Sequence, residues 1–266
     1  MKITFLGTSA AWPTPHPGCD CPQCAQARAD GRFRRTRSSL LLESGDEIVL
    51  VDPGPDVFHQ FEREGLEPRV DRVLVTHCHA DHILGLDDLV NLRADRKHVL
   101  AVHAAGYHRR RIAEIFPYLV DEKEPRVVFE VWKPGTEIAM EGIRIEGVET
   151  GHRVRFPTTA LLMHIDTPNG VKRVAYATDM GDLPDDSRER LEEIDLLVGD
   201  GTFLGAEGYG HPGTDAVLAL GQELDIEKVA FTHVGHVGVD DATLQTLLGE
   251  GVGLAYDGGD LLDLLP

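Results

Sequence analysis

Seven consecutive residues, Thr76-His77-Cys78-His79-Ala80-Asp81-His82, constrain this chain more than any other stretch. They follow the strand-like segment 70–75, so a rigid element delivers them to a loop that can face solvent. Three imidazoles and a carboxylate so close together must each be hydrated, paired or metal-bound, because burying any of them alone is costly. His77 and His79 are two apart at the end of an extended segment, point the same way and can grip one ion. Asp81 and His82, just past the turn, can reach a second ion beside it. We read the cluster as a metal site.

A site for two ions needs more ligands than these four, and the chain offers three at later strand ends: His152 in Thr150-Gly151-His152, Asp179 in Ala177-Thr178-Asp179 and His233 in Phe231-Thr232-His233. The pattern around them predicts strands over 3–6, 38–43, 47–51, 72–75, 99–103, 127–131, 137–139, 143–149, 159–165, 172–177, 196–200, 228–232 and 254–256. Helices are predicted over 57–64, 82–96, 104–116, 185–191, 214–224 and 240–248. No internal repeat and no linker rich in Gly, Ser or Pro divides the chain, so one α/β domain over 1–266 is expected.

The segment 10–37 reads as one long irregular loop holding three of the four cysteines. A loop of that length must be tied down. Cys19, Cys21 and Cys24 supply three thiols at short spacing, suited to zinc once a histidine joins them. The N-terminal residues alternate like a strand rather than a signal peptide, and no apolar run reaches about 18 residues, so cytoplasmic residence without a membrane partner is expected. In that compartment the cysteines are thiols or ligands rather than disulfides. A net charge of −19 argues against nucleic acid as a partner, since gripping phosphates takes basic surface.

The pattern His77-x-His79-x-Asp81-His82, with single His, Asp and His at later strand ends, resembles the metallo-β-lactamase superfamily over essentially the whole chain. Gly7-Thr8-Ser9, Cys19-x-Cys21-x-x-Cys24 and Thr232-His233-x-x-His236 resemble its PhnP-like phosphodiesterase branch. The resemblance implies a four-layered αβ/βα sandwich, two mixed β-sheets flanked by helices. It implies one metal on His77, His79, His152 and Asp179, and another on Asp81, His82, His233 and the same Asp179. Manganese or zinc would suit those two divalent sites. Asp52 would support the ligand loop from behind, and His211 would protonate the leaving oxygen. His236 would complete a structural zinc site with the three cysteines, pinning the loop at about 10–37.

The implied activity is hydrolysis of a small cyclic phosphodiester, with phosphoribosyl 1,2-cyclic phosphate the leading substrate and a homodimer in keeping with the branch. Alternatives within the superfamily are a tRNA 3′-processing endonuclease, a glyoxalase-type thioesterase and a non-catalytic metal-binding relative. Cys78 is expected to pack rather than ligate, and His16, His59, His98, His103, His108 and His164 show no partner pattern. Arg153 and Arg155 could hold a phosphate or simply be solvated.

Overall fold

Alternation along the strands sorts the apolar residues into three clusters, and that sorting gives the architecture. The computed structural model describes residues 1–92, 99–133, 135–152 and 156–266, the side chains at 152 and 156 excepted. One sheet runs in the order β1 (Lys2–Gly7), β2 (Ser39–Ser44), β3 (Glu47–Val51), β4 (Arg72–Leu74), β5 (Leu100–Ala104) and β6 (Val127–Val131). The other contains β7 (Glu137–Met140), β8 (Ile143–His152), β9 (Phe156–Thr167), β10 (Gly170–Ala177), β11 (Leu196–Asp200), β12 (Lys228–Thr232) and β13 (Gly253–Leu254), again adjacent in sequence order. Each sheet is mixed: β1 to β3 and β7 to β10 pair antiparallel, whereas β3 to β6 and β10 to β13 pair parallel.

Leu40, Leu42, Val49 and Val51 face Val174, Tyr176, Leu196 and Val198 in the cluster between the sheets. Their neighbours point the other way. Leu41 and Leu50 join the cluster under the helices of the first sheet, and Ala175, Ala177 and Leu197 the corresponding cluster of the second. Both faces of each sheet are therefore covered, as parallel strands require, and the result is the four-layered sandwich with helices outside. Its helices are α1 (Pro22–Ala29), α2 (Val57–Glu64), α3 (Ala80–Ile83), α4 (Leu86–Leu92), α5 (Gly106–Ile115), α6 (Asp185–Leu191), α7 (Thr214–Glu223) and α8 (Asp241–Leu248). Among the described residues no helix is long and apolar enough to cross a membrane.

Three expectations need correction. The segment 10–37 is not wholly irregular: Pro22 opens α1, and a 3-10 turn follows at Gly31–Phe33. The helix expected over 82–96 is two helices broken at 84–85, and positions 93–98 lie outside the described residues. Gly85 causes the break, since its amide donates to Pro53 O and a Cβ there would sit 1.9 Å from Gly54 O. Gly54 is equally tight, its would-be Cβ 2.2 Å from Asp81 O. Two bare backbones thus bring the loop after β3 against the histidine cluster. The final strand is Gly253–Leu254 rather than 254–256.

Candidate metal centre

The functional side chains gather at the C-terminal ends of strands from both sheets. Asp52 follows β3, His77 to His82 follow β4, Asp179 follows β10, and His233 follows β12. Asp52, Asp179 and His233 all have φ of 52–53°, in the left-handed region that non-glycine residues rarely occupy. Such backbone persists where surrounding structure enforces it, and it clusters at functional sites.

Asp179 is the hub. Its Oδ2 lies 3.1 Å from His82 Nε2 and 3.2 Å from His233 Nε2, while its Oδ1 lies 3.6 Å from His77 Nε2 and 3.7 Å from His211 Nε2. Asp81 Oδ2 sits 3.4 Å from His82 Nε2 and 3.7 Å from His233 Nε2. His79 stands on the cleft side, its ring centroid 4.5 Å from that of His77. The backbone of His152 closes β8, and its side chain lies outside the described residues, as do Arg153, Arg155 and His98.

His82 Nε2, His233 Nε2 and Asp179 Oδ2 are buried and converge on one another, the nitrogens 3.1 and 3.2 Å from the oxygen. A cation between them would satisfy all three donor atoms at once. Donor atoms each about 2.1 Å from one ion in tetrahedral array stand about 3.4 Å apart, which is the spacing seen. The donor set of imidazoles and carboxylates suits a divalent metal such as zinc.

Behind the cluster lie two buried carboxylates with matching partners. Asp52 accepts from Thr76 N at 2.8 Å, Thr76 Oγ1 at 2.7 Å and His82 Nδ1 at 2.8 Å. Asp200, at the end of β11, accepts from Thr202 N at 2.8 Å, Thr202 Oγ1 at 2.6 Å and His211 Nδ1 at 2.7 Å. Each threonine hydroxyl spends its proton on a carboxylate, so it accepts from the remaining histidine: His77 Nδ1 at 3.1 Å from Thr76 and His233 Nδ1 at 2.8 Å from Thr202. Every one of these Nδ1 atoms is thereby protonated, and the Nε2 atoms turn toward Asp179. In the sequence, Asp200 and Thr202 carry no signal beyond an acidic residue at the end of an apolar strand.

Electrostatics follow the same geometry. Burial would raise Asp179, but the surrounding charges of His233, His77 and His82 hold it well below the carboxylate range. Burial opposes charging of His233, yet Asp179 and Asp200 push it up to about 10, and the carboxylates around His82 raise that group too. The metal-free cluster is therefore cationic on these histidines at neutral pH, and a metal must displace their protons. Calorimetric titration of zinc into the chelator-treated protein at pH 7, in buffers of differing ionisation enthalpy, should report release of at least one proton and affinity rising with pH. Binding without proton release would contradict this arrangement.

A second cluster lies nearby. Cys19, Cys21 and Cys24 Sγ stand 3.5, 3.2 and 3.4 Å from His236 Nε2. Sulfur and nitrogen at about 2.3 and 2.0 Å from one tetrahedral zinc would be about 3.5 Å apart, so the four fit that ion. Gln23 of α1 further bonds Gly235 O and accepts from Gly238 N. His16, which the sequence left without a partner, stacks on His236 at 4.1 Å and donates its backbone N–H to Cys24 Sγ. Cys78 packs against the apolar cluster under the helices.

Both clusters border a cleft of about 660 Å³ that His79, Asp81, Asp179, His211, His233 and His236 help to line. A model of the beta-lactamase superfamily domain matches residues 47–234. A diphosphatase of the PhnP family is similar in structure, with a TM-score of 0.82 and 28% identity, covering 98% of this chain and 96% of that one. Coenzyme PQQ synthesis protein B of Methylobacterium nodulans is 27% identical, over 89% of this chain and 90% of its own length. Ribonuclease Z of Haloferax volcanii is 27% identical, over 86% of this chain and 61% of its own.

Proposed function

Because this chain belongs to the beta-lactamase superfamily, we infer that it is a metal-dependent phosphodiesterase acting on a small cyclic phosphate, with phosphoribosyl 1,2-cyclic phosphate the leading substrate. The observation that carries the reading is the divided attention of Asp179, whose two carboxylate oxygens face different histidine pairs. One divalent ion, manganese or zinc, would be held by His77, His79, His152 and Asp179, and another by Asp81, His82, His233 and Asp179. Divalent ions held there would neutralise phosphoryl charge and acidify a water. Phosphoryl transfer needs positioning and charge neutralisation more than a protein nucleophile. A zinc ion on Cys19, Cys21, Cys24 and His236 is proposed to be structural.

The chain's own part is orientation and proton delivery. Asp52 and Asp200 hold the histidines in one tautomer. His211, on the cleft wall, is the proton donor to the leaving oxygen: burial disfavours its charged form, but the hydrogen bond from its Nδ1 to Asp200 overrides that and raises its pKa. A net charge of −19 favours a small substrate over RNA, so the tRNA-processing alternative ranks second.

The test is hydrolysis of bis-p-nitrophenyl phosphate and phosphoribosyl 1,2-cyclic phosphate beside a thioester. Phosphodiester turnover should vanish with chelator and return with manganese or zinc. His211→Ala should keep its metal and lose roughly 10²–10⁴-fold in turnover, the usual worth of a general acid. Thioester hydrolysis alone would overturn the reading, and loss of metal from His211→Ala would make that residue a ligand instead.

A further inference from the structure

Two large aromatic side chains stand in solvent at the same cleft, where burial elsewhere in the fold would have been favourable. Trp12 is 71% exposed and Tyr209 93% exposed, and both line the cavity beside the metal centre. The chain's other tryptophan, Trp132, is 2% exposed in the core.

Neither position is a loose end. Trp12 lies on backbone pinned on both sides: Ser9 Oγ donates to Trp12 O at 2.7 Å, and Thr14 and Arg35 exchange backbone hydrogen bonds. Tyr209 sits at the tip of a tight turn closed by paired bonds between Gly208 and His211. Its φ is 46°, followed by Gly210 at 89°. Glycine or asparagine is the usual occupant of a turn with both central residues left-handed, and a bulky ring there is disfavoured. The turn therefore displays an exposed aromatic in a backbone state that works against it, two residues from His211. Phe203 supports it, with ring centroids 6.1 Å apart.

We propose that Trp12 and Tyr209 are specificity-determining residues that stack on a flat π ring, nucleobase or aryl, carried by the phosphodiester. The inference rests on the phosphodiesterase reading above but departs from its leading substrate, since phosphoribosyl 1,2-cyclic phosphate carries no such ring, and it names the part of the substrate that the metal centre does not recognise. The anionic end of the substrate falls to the histidine and aspartate cluster, which lines the same cavity. Ring stacking is the recognition chemistry these two side chains add, and it is tolerant of which ring is offered.

The placement of the tryptophans supplies a readout independent of turnover. Binding of AMP should quench the exposed Trp12 emission when the protein is excited at the red edge of indole absorption, whereas ribose 5-phosphate should not. Quenching by AMP alone assigns a nucleobase site, and quenching by phenyl phosphate as well assigns a general aryl site; either supports the clamp. Trp12→Phe should lose the signal, and Tyr209→Ala should lower the preference for AMP over ribose 5-phosphate about tenfold, the loss expected of one stacking partner. An unchanged preference in Tyr209→Ala, or no quenching by either aromatic ligand, overturns the clamp. Hydrolysis of bis-p-nitrophenyl phosphate is measured on the same preparation. Hydrolysis without quenching removes the clamp and leaves the phosphodiesterase; quenching without hydrolysis supports the aromatic site and removes the phosphodiesterase.

Discussion

Replacing Asp179 with Ala is expected to lower phosphodiester turnover by roughly 10³-fold or more, because the charge stabilisation at stake is several kcal/mol. This one carboxylate is 2% exposed and stands within 3.7 Å of the Nε2 atoms of His77, His82, His211 and His233. Its two oxygens face different histidines, Oδ1 toward His77 and His211 and Oδ2 toward His82 and His233. Its loss therefore weakens both proposed ion sites together, and metal content measured by mass spectrometry should fall in step with turnover. Asp179→Asn separates charge from shape. It keeps the volume but turns one oxygen into an N–H donor that would face histidine nitrogens, so most of the loss should remain. A variant that keeps full metal content and near-native turnover would show that Asp179 is not the bridge.

Asp179 also shows how far the sequence could be read. The histidine motif and the single residues at strand ends were legible because apolar strands announce their own ends, and polar groups placed there share one sheet edge. What joins them was not. Asp52 and Asp200 play the same part in the two halves of the sandwich, each holding one histidine directly and another through a threonine hydroxyl. The threonine is 24 residues from Asp52 but two from Asp200. A correspondence in space therefore leaves no repeat in sequence, and Asp200 looked like an ordinary strand terminus. Similarly, α1 was hidden because its buried face is Gln23, Cys24 and Ala27, which gives no apolar stripe to detect. The two buried glutamine and cysteine side chains make sense only once the 235–238 segment lies against them.

That segment carries the second large expected effect. Cys24 is fully buried and its thiol is pushed up to about 11 by burial, so without a metal it stays protonated at neutral pH. Zinc deprotonates a coordinating thiol and turns an inert buried group into a strong ligand. Cys24→Ser should cost the protein one equivalent of tightly held zinc. It should also cost on the order of 3 kcal/mol of stability, or roughly 6–12 °C in Tm for a chain of this size. Protons compete with the metal for thiolate, so the wild-type site should release zinc as the pH falls, while Cys24→Ser has none to release. The consequence reaches the cleft, because His236 is three residues beyond His233 and His16 stacks on it beside the cavity. Loosening the zinc site should raise KM before it lowers kcat, since the loop bearing Trp12 shifts while the Asp179 cluster stays anchored by Asp52 and Asp200. Equal Tm for the wild-type protein before and after removal of this zinc would mean that the glutamine bonds of α1, two through Gln23 and one through Gln26, rather than the metal, hold the loop in place.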